Sequence, residues 1–186
     1  MITGVLSLIR TLMQIVLLQK GPEALPRAPV ILLFCVALWM VSNAIALFSV
    51  DGSSAGSFML GTLIGAVGLI IYALLINAAG KAERIMQSLS AIIGCGAIIS
   101  FTVLLFEALL PLLIDEQQVN SLLTLVLLWS VPVEGHIIAR AIDRFWYVGL
   151  VAASTVFIVQ LFLLASLSPA IETDSTSAEE VVAQPA

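Results

Sequence analysis

The sequence has little charge. Only 10% of its 186 residues are Asp, Glu, Lys or Arg, while 61% are hydrophobic. Soluble domains are about a quarter charged and about half apolar, so the composition excludes an ordinary soluble domain. Histidine is nearly absent: His136 stands alone, which rules out a multi-histidine metal centre. The two cysteines, Cys35 and Cys95, both lie in apolar runs with no His or Cys beside them. They make no zinc pattern and read as small buried hydrophobes. Gly-x-Ser-x-Gly, His-Glu-x-x-His and a glycine-rich phosphate loop before a lysine are all missing. With them go the common hydrolase, metalloprotease and nucleotide-hydrolysing signatures. No polar stretch is long enough for a nucleic-acid-binding or nucleotide-binding module. The expectation is a protein that is not an enzyme and holds no cofactor or metal.

What is present is a series of long apolar runs. About 20 residues at 1.5 Å per residue cross the ~30 Å of bilayer hydrocarbon. Five runs meet that length, at 30–50, 58–79, 85–114, 120–139 and 145–167. The fold class expected is an all-α integral membrane protein with a five-helix transmembrane domain over 30–167. Asp51 to Ser54 reads as a tight turn after the first run. Pro132 interrupts the fourth run, and Phe145, Trp146 and Tyr147 open the fifth as an aromatic interfacial anchor.

Three segments flank the spans. In residues 1–20, Thr3, Ser7, Arg10, Thr11 and Gln14 form one polar stripe, with Ile2, Val5, Leu6, Ile9, Leu12, Met13 and Val16 around the rest. Arg10 sits where a spanning helix would find charge most costly, so an interfacial amphipathic helix is expected, with a sixth span as the rival. Residues 21–29 hold Pro22, Pro26 and Pro29 and read as a stiff, extended connector. Residues 168–186 carry Glu172, Asp174, Glu179 and Glu180 without one basic residue, and little to bury. That composition predicts a disordered acidic tail.

The basic residues are Arg10, Lys20, Arg27, Lys81, Arg84, Arg140 and Arg144. With five spans, all seven fall on one side, and Asp51, Asp115, Glu116 and the tail on the other. Cytoplasmic loops carry the Lys/Arg excess, so the amino terminus is expected inside and the carboxyl terminus outside.

Two groups of residues are candidates for function. Glu134 and His136 lie six and four residues before Arg140, inside the fourth span. Asn77, Gln87 and Arg84 reach a similar depth on neighbouring spans. Together these five suggest a polar pocket opening to the cytoplasm. The alternative is that Glu134 and His136 snorkel to the interface beside the basic residues. Gly61, Gly65, Gly68 and Gly94 suggest slim faces for helix packing.

Some short stretches resemble a known family. Gln19-Lys20-Gly21-Pro22-Glu23-Ala24-Leu25-Pro26, Arg84-Ile85-Met86-Gln87-Ser88-Leu89 and Gly135-His136-Ile137-Ile138 are similar to segments of small bacterial inner-membrane proteins grouped with the Yip-type (Rab-GTPase-interacting) family. The resemblance covers about residues 19–165. It implies five helices, a cytoplasmic amino terminus and, in eukaryotic members, trafficking adaptors that bind small GTPases. The long soluble amino-terminal region of those members and their Asp-Leu-Tyr-Gly-Pro-type motif are missing here. The expected role is an inner-membrane adaptor, scaffold or accessory subunit that binds lipid or other membrane proteins. A small transporter or channel subunit is the second expectation.

Overall fold

A computed structural model describes residues 2–49 and 55–182, so the turn expected at Asp51–Ser54 and the last four residues lie outside the described residues. Every regular element among the described residues is helical. The helices are α1 (Ile2–Val16), α2 (Pro29–Ser49), α3 (Ala55–Ala78), α4 (Ile85–Leu109), α5 (Glu116–Leu128), α6 (Ser130–Ala141) and α7 (Trp146–Val182). Five stretches are long and apolar enough to cross a membrane: Pro29–Phe48, Phe58–Ala78, Ala82–Leu112, Gln117–Ala141 and Trp146–Ser168. The chain is a multi-pass membrane protein. The fourth stretch combines α5 and α6. Pro132 lacks an N–H and crowds the carbonyl four residues earlier, so regular helix breaks at Trp129. The backbone of α7 continues as helix past Ser168 into the acidic stretch that composition assigns to disorder. Ala and Glu there extend a helix at little cost.

α4 lies at the centre and packs on α1, α2, α5 and α6. Its buried side includes Ser88, Ser90, Ala91, Gly94, Cys95 and Ala97, small residues that let neighbours approach. α2 runs parallel to α4. Near its start Arg27 meets Gln87, further on Cys35 faces Gly94, and Ile45 shares a hollow with Phe101 and Leu105. Both cysteines are free and buried.

The short amino-terminal helix is present, and part of its apolar side is covered by protein, while Val5, Leu6, Ile9 and Met13 stay exposed. Leu12, Ile15 and Val16 are buried against the bundle. The Leu12 carbonyl accepts from Cys95 Sγ at 3.8 Å, and the Val16 carbonyl accepts from Trp129 Nε1 at 3.0 Å. Ile9 and Met13 share a hollow with Ile98, Phe101 and Leu105. α1 therefore runs antiparallel beside α4. Leu12 meets Gly94 and Cys95, a pairing that no periodicity reveals. The proline-rich connector that follows carries one 3-10 turn, Pro22–Ala24, because proline fits the first turn of a helix.

Three helices end on the same side by the same device. After α1, α3 and α6 come Leu18, Gly80 and Asp143, with φ of 59°, 72° and 53°. In each case the next N–H reaches back five residues: Gln19 to the Gln14 carbonyl, Lys81 to Ile76, Arg144 to Ala139. This closure satisfies carbonyls that the helix leaves open. Only Gly80 adopts that backbone without steric cost.

The tightest helix contact is between α6 and α7. A Cβ on Gly135 would come within 2.8 Å of the Leu150 Cα, and one on Gly149 within 2.7 Å of Ala139. Both are backbone-to-backbone approaches, which only glycine permits. Gly149→Val is expected to cost about 1–3 kcal/mol in detergent unfolding, because neither backbone can retreat without parting the helices. Gly61→Ala is the control, since nothing lies within 4 Å of an added Cβ there. Equal midpoints for the two variants would refute the contact as a stabilising one.

Candidate functional site

The five residues expected to form one polar pocket are separated by the structure: Glu134 lines one cavity, Gln87 and Arg84 another, and Asn77 and His136 line neither. Glu134 and His136, two apart on α6, face different neighbours. Glu134 meets α3, where the Tyr72 hydroxyl donates to its Oε2 at 2.6 Å. That length is typical of a hydroxyl bonded to a carboxylate. A charge at the centre of a spanning helix costs ~2.5–3.5 kcal/mol on insertion scales, and a hydrogen bond to a charged group returns ~1.5–3 kcal/mol of it. None of Asn77, Gln87 or Arg84 reaches Glu134. Asn77 is exposed near the end of α3. It follows Tyr72 by five residues, which turns it about 140° around the helix. His136 is half-buried, and its Nε2 has no hydrogen-bond partner among the described residues.

Glu134 and Tyr72 form the floor of a cavity of about 350 Å³. Its walls include Trp39 and Met40 of α2, Gly65 of α3, Gly96 of α4 and Gln160 of α7. The cavity exists because α2 packs along α4 rather than on α3, its neighbour in sequence. α3 instead pairs antiparallel with α7, where Gln160 Nε2 donates to the Ile64 carbonyl at 3.3 Å. Met40 and Ala66 on the rim are exposed, so the mouth faces outward from the bundle, toward lipid. Gly65 and Gly68 serve this arrangement: Gly65 faces Trp39 across the cavity, and Gly68 admits Gln160 and Val156. Gly94 admits Leu12 and Cys35, whereas Gly61 packs against nothing.

Sequence reasoning singles out neither Tyr72 nor Gln160, and marks Trp39 only as a notable interior position of the first span. Gln160 had a signal, as the one amide inside the fifth apolar run. Tyr72 had a weaker one, as the tyrosine lying within a span rather than at its end. Neither signal says which helices meet.

Gln87 and Arg84 belong to the second place, where the connectors gather. Gln87 Nε2 donates to the Leu25 carbonyl at 2.6 Å, and Arg27 Nε donates to Gln87 Oε1 at 3.0 Å. Arg84 Nη1 donates to the Arg140 carbonyl at 3.1 Å and to Asp143 Oδ1 at 2.7 Å. Lys81 Nζ takes the other Asp143 oxygen at 2.7 Å. Asp143 thus ties the end of α6 to the loop between α3 and α4. The hydrogen bond from Arg84 and that from Lys81 pull the Asp143 carboxyl down to about 2.

No protein-family model matches this chain, and no curated protein or solved structure matches it either.

The Asp143 clamp gives a pH prediction. Its folded pKa lies below the ordinary carboxylate value of ~3.9, so its contribution is present above about pH 4. It is lost as pH falls toward 2. The unfolding midpoint of wild type should therefore exceed that of Asp143→Asn near pH 6, and the difference should vanish between about pH 4 and 2. A difference that is constant down to pH 2 would show that the carboxylate charge contributes nothing.

Proposed function

We propose that this protein is a non-enzymatic membrane protein that binds a small amphipathic ligand from the lipid phase. The observation that carries the reading is the Tyr72–Glu134 pair in a mostly apolar cavity with an outward-facing mouth. Small-molecule sites are mostly apolar clefts of ~300–1,000 Å³ with a few converging polar groups, and this cavity has that size and lining. It is too small for a partner helix. An ionisable residue held within a span is a functional-site candidate by default. A carboxylate favours a ligand head that donates hydrogen bonds or carries positive charge, and the walls favour an alkyl or ring body.

Transport through the Glu134 region has less support. One turn further along from Tyr72 and Glu134 stand Ile76 and Ile138, both fully buried. Apolar packing there separates the cavity from the arginine-rich end along α3 and α6. An accessory or scaffold role in a larger membrane complex remains compatible with ligand binding. The Yip-type resemblance is compatible with it too, but carries none of this argument.

A brominated alkylamine tests the proposal through quenching of Trp39 fluorescence in a Trp129→Phe/Trp146→Phe background, where Trp39 is the one tryptophan left. Quenching should saturate, and Glu134→Gln should weaken the apparent affinity about tenfold or more, the worth of one charge-assisted hydrogen bond. A brominated alkane of equal length should not saturate. Unsaturable quenching that is equal in wild type, Glu134→Gln and Tyr72→Phe would overturn it.

We further propose that the connectors bearing Lys20, Arg27, Lys81, Arg84, Arg140 and Arg144 face the cytoplasm of a bacterial inner membrane, with the carboxyl end outside. The course of α1 beside α4 favours an amino end directed away from those connectors. A cysteine replacing Lys81 should react with an impermeant reagent only from the cytoplasmic side, and one replacing Leu112 only from the other. A cysteine replacing Ser7 should follow Leu112. Reversal of the first two would defeat the orientation. Labelling of Ser7 from the Lys81 side would return α1 to the cytoplasmic interface.

A further inference from the structure

The connectors enclose a second cavity, of about 460 Å³, distinct from the one at Glu134. Arg27, Arg84, Arg140 and Arg144 line it, against two carboxylates, Glu23 and Asp143. Four positive groups less two negative ones leave two positive charges without a counterpart in the lining. The pairing within it is uneven. Asp143 is taken by Arg84 and Lys81. Glu23 is 3.8 Å from Arg140, a loose and exposed contact. Arg27 meets only the Gln87 amide oxygen, and Arg144 has no carboxylate partner among the described residues.

A second, independent feature points the same way. Ser88 lines this cavity and is 0% exposed, yet its Oγ has no hydrogen-bond partner among the described residues. A buried hydroxyl left unpaired costs ~1–3 kcal/mol, so such groups normally have a partner. Several helical Ser and Thr residues here donate to a carbonyl one turn back, as Ser90 does to Met86 and Ser42 to Trp39. Ser88 does not, and remains available to a ligand. α4 also starts at this cavity, without a side-chain cap and with no acidic residue in its first turn. Glu83 lies in the preceding turn, and the first N–H groups of α4 have no side-chain acceptor at the N-cap.

We infer that this cavity binds a phosphate group. Guanidinium forks match phosphate oxygens in pairs, a helix start favours anions, and two spare positive charges suit a phosphomonoester of charge about −2. The site lies where the spans end, at the level of lipid headgroups. A phosphorylated headgroup and a soluble phosphate share this chemistry. Basic pockets between spans commonly receive anionic headgroups. The inference is independent of the ligand proposed for Glu134, which lies in the other cavity.

The test uses full-length protein in neutral detergent, reading the thermal unfolding midpoint. Inorganic phosphate is titrated against chloride at equal ionic strength, and short-chain phosphatidic acid against phosphatidylcholine of equal chain length. A saturable rise with phosphatidic acid alone identifies a lipid headgroup as the source. A saturable rise with inorganic phosphate as well identifies the phosphate itself as sufficient. In either case the exposed double variant Arg27→Gln/Arg144→Gln should weaken binding at least tenfold, and Ser88→Ala several-fold. Without ligand, the double variant should unfold as wild type does. No rise with either phosphate probe, a rise that chloride reproduces, or equal binding by wild type and the double variant would overturn the inference.

Discussion

Helices in lipid gain nothing by hiding apolar surface from one another, because the solvent is as apolar as they are. Their association depends on how closely backbones approach. The bundle rests on this constraint at a few positions. Gly135 and Gly149 bring α6 and α7 into backbone contact, and Gly94 lets Leu12 and Cys35 reach α4. Gly68 opens α3 to Gln160 and Val156. The contacts form two groups, α1–α2–α4 and α3–α6–α7, held together where α4 meets α6. Nothing comparable joins α2 to α3. The cavity at Glu134 is the space that this unequal packing leaves.

The end of the bundle where the connectors gather follows a different rule. There the backbone must turn and its open carbonyls need donors. Three left-handed closures, at Leu18, Gly80 and Asp143, satisfy some of them. Arg84 supplies others by donating to the Arg140 and Ala141 carbonyls. Arginine and lysine near helix C-termini also meet the negative ends of the dipoles. Part of the basic collar read from the sequence is therefore structural. Arg27 and Arg144 are not used this way, and their charge sets the character of the cavity. Asp143 holds a backbone conformation that most side chains avoid, and its carboxylate anchors Lys81 and Arg84 at the same time.

The spans were legible because the bilayer sets their length. Apolar runs of about 20 residues gave five helices within a few residues of their ends. Faces were legible where small or polar residues recur at helical spacing, as in α1. Partners were not. The Gly61–Gly65–Gly68 pattern marks a slim face, yet only part of it is used, while the tighter pair Gly135 and Gly149 lies in two different helices. Spacing within one helix cannot reveal a contact between two. The same limit explains Glu134. Its depth followed from counting back from Arg140, but its partner depended on the rotation of α6 toward Tyr72, and the candidates chosen by depth, Asn77, Gln87 and Arg84, face elsewhere.

The two cavities are built from the same helices. α6 carries Glu134 six residues before Arg140, and α3 carries Tyr72 nine residues before Lys81. The buried layer between them holds Ile76, Ile137 and Ile138 on α3 and α6, and Ser90 of α4, which donates to the Met86 carbonyl of its own helix. The two cavities share no lining residue. What they do share is position: the Lys81–Asp143–Arg84 clamp fixes the end of α6 against the end of α3, and the Tyr72–Glu134 bond joins the same two helices above it. One contact lies in water and the other in hydrocarbon, so the lower is weakened by salt and acid while the upper is protected from both. The α3–α6 pairing is thus secured twice, by bonds that respond to different conditions.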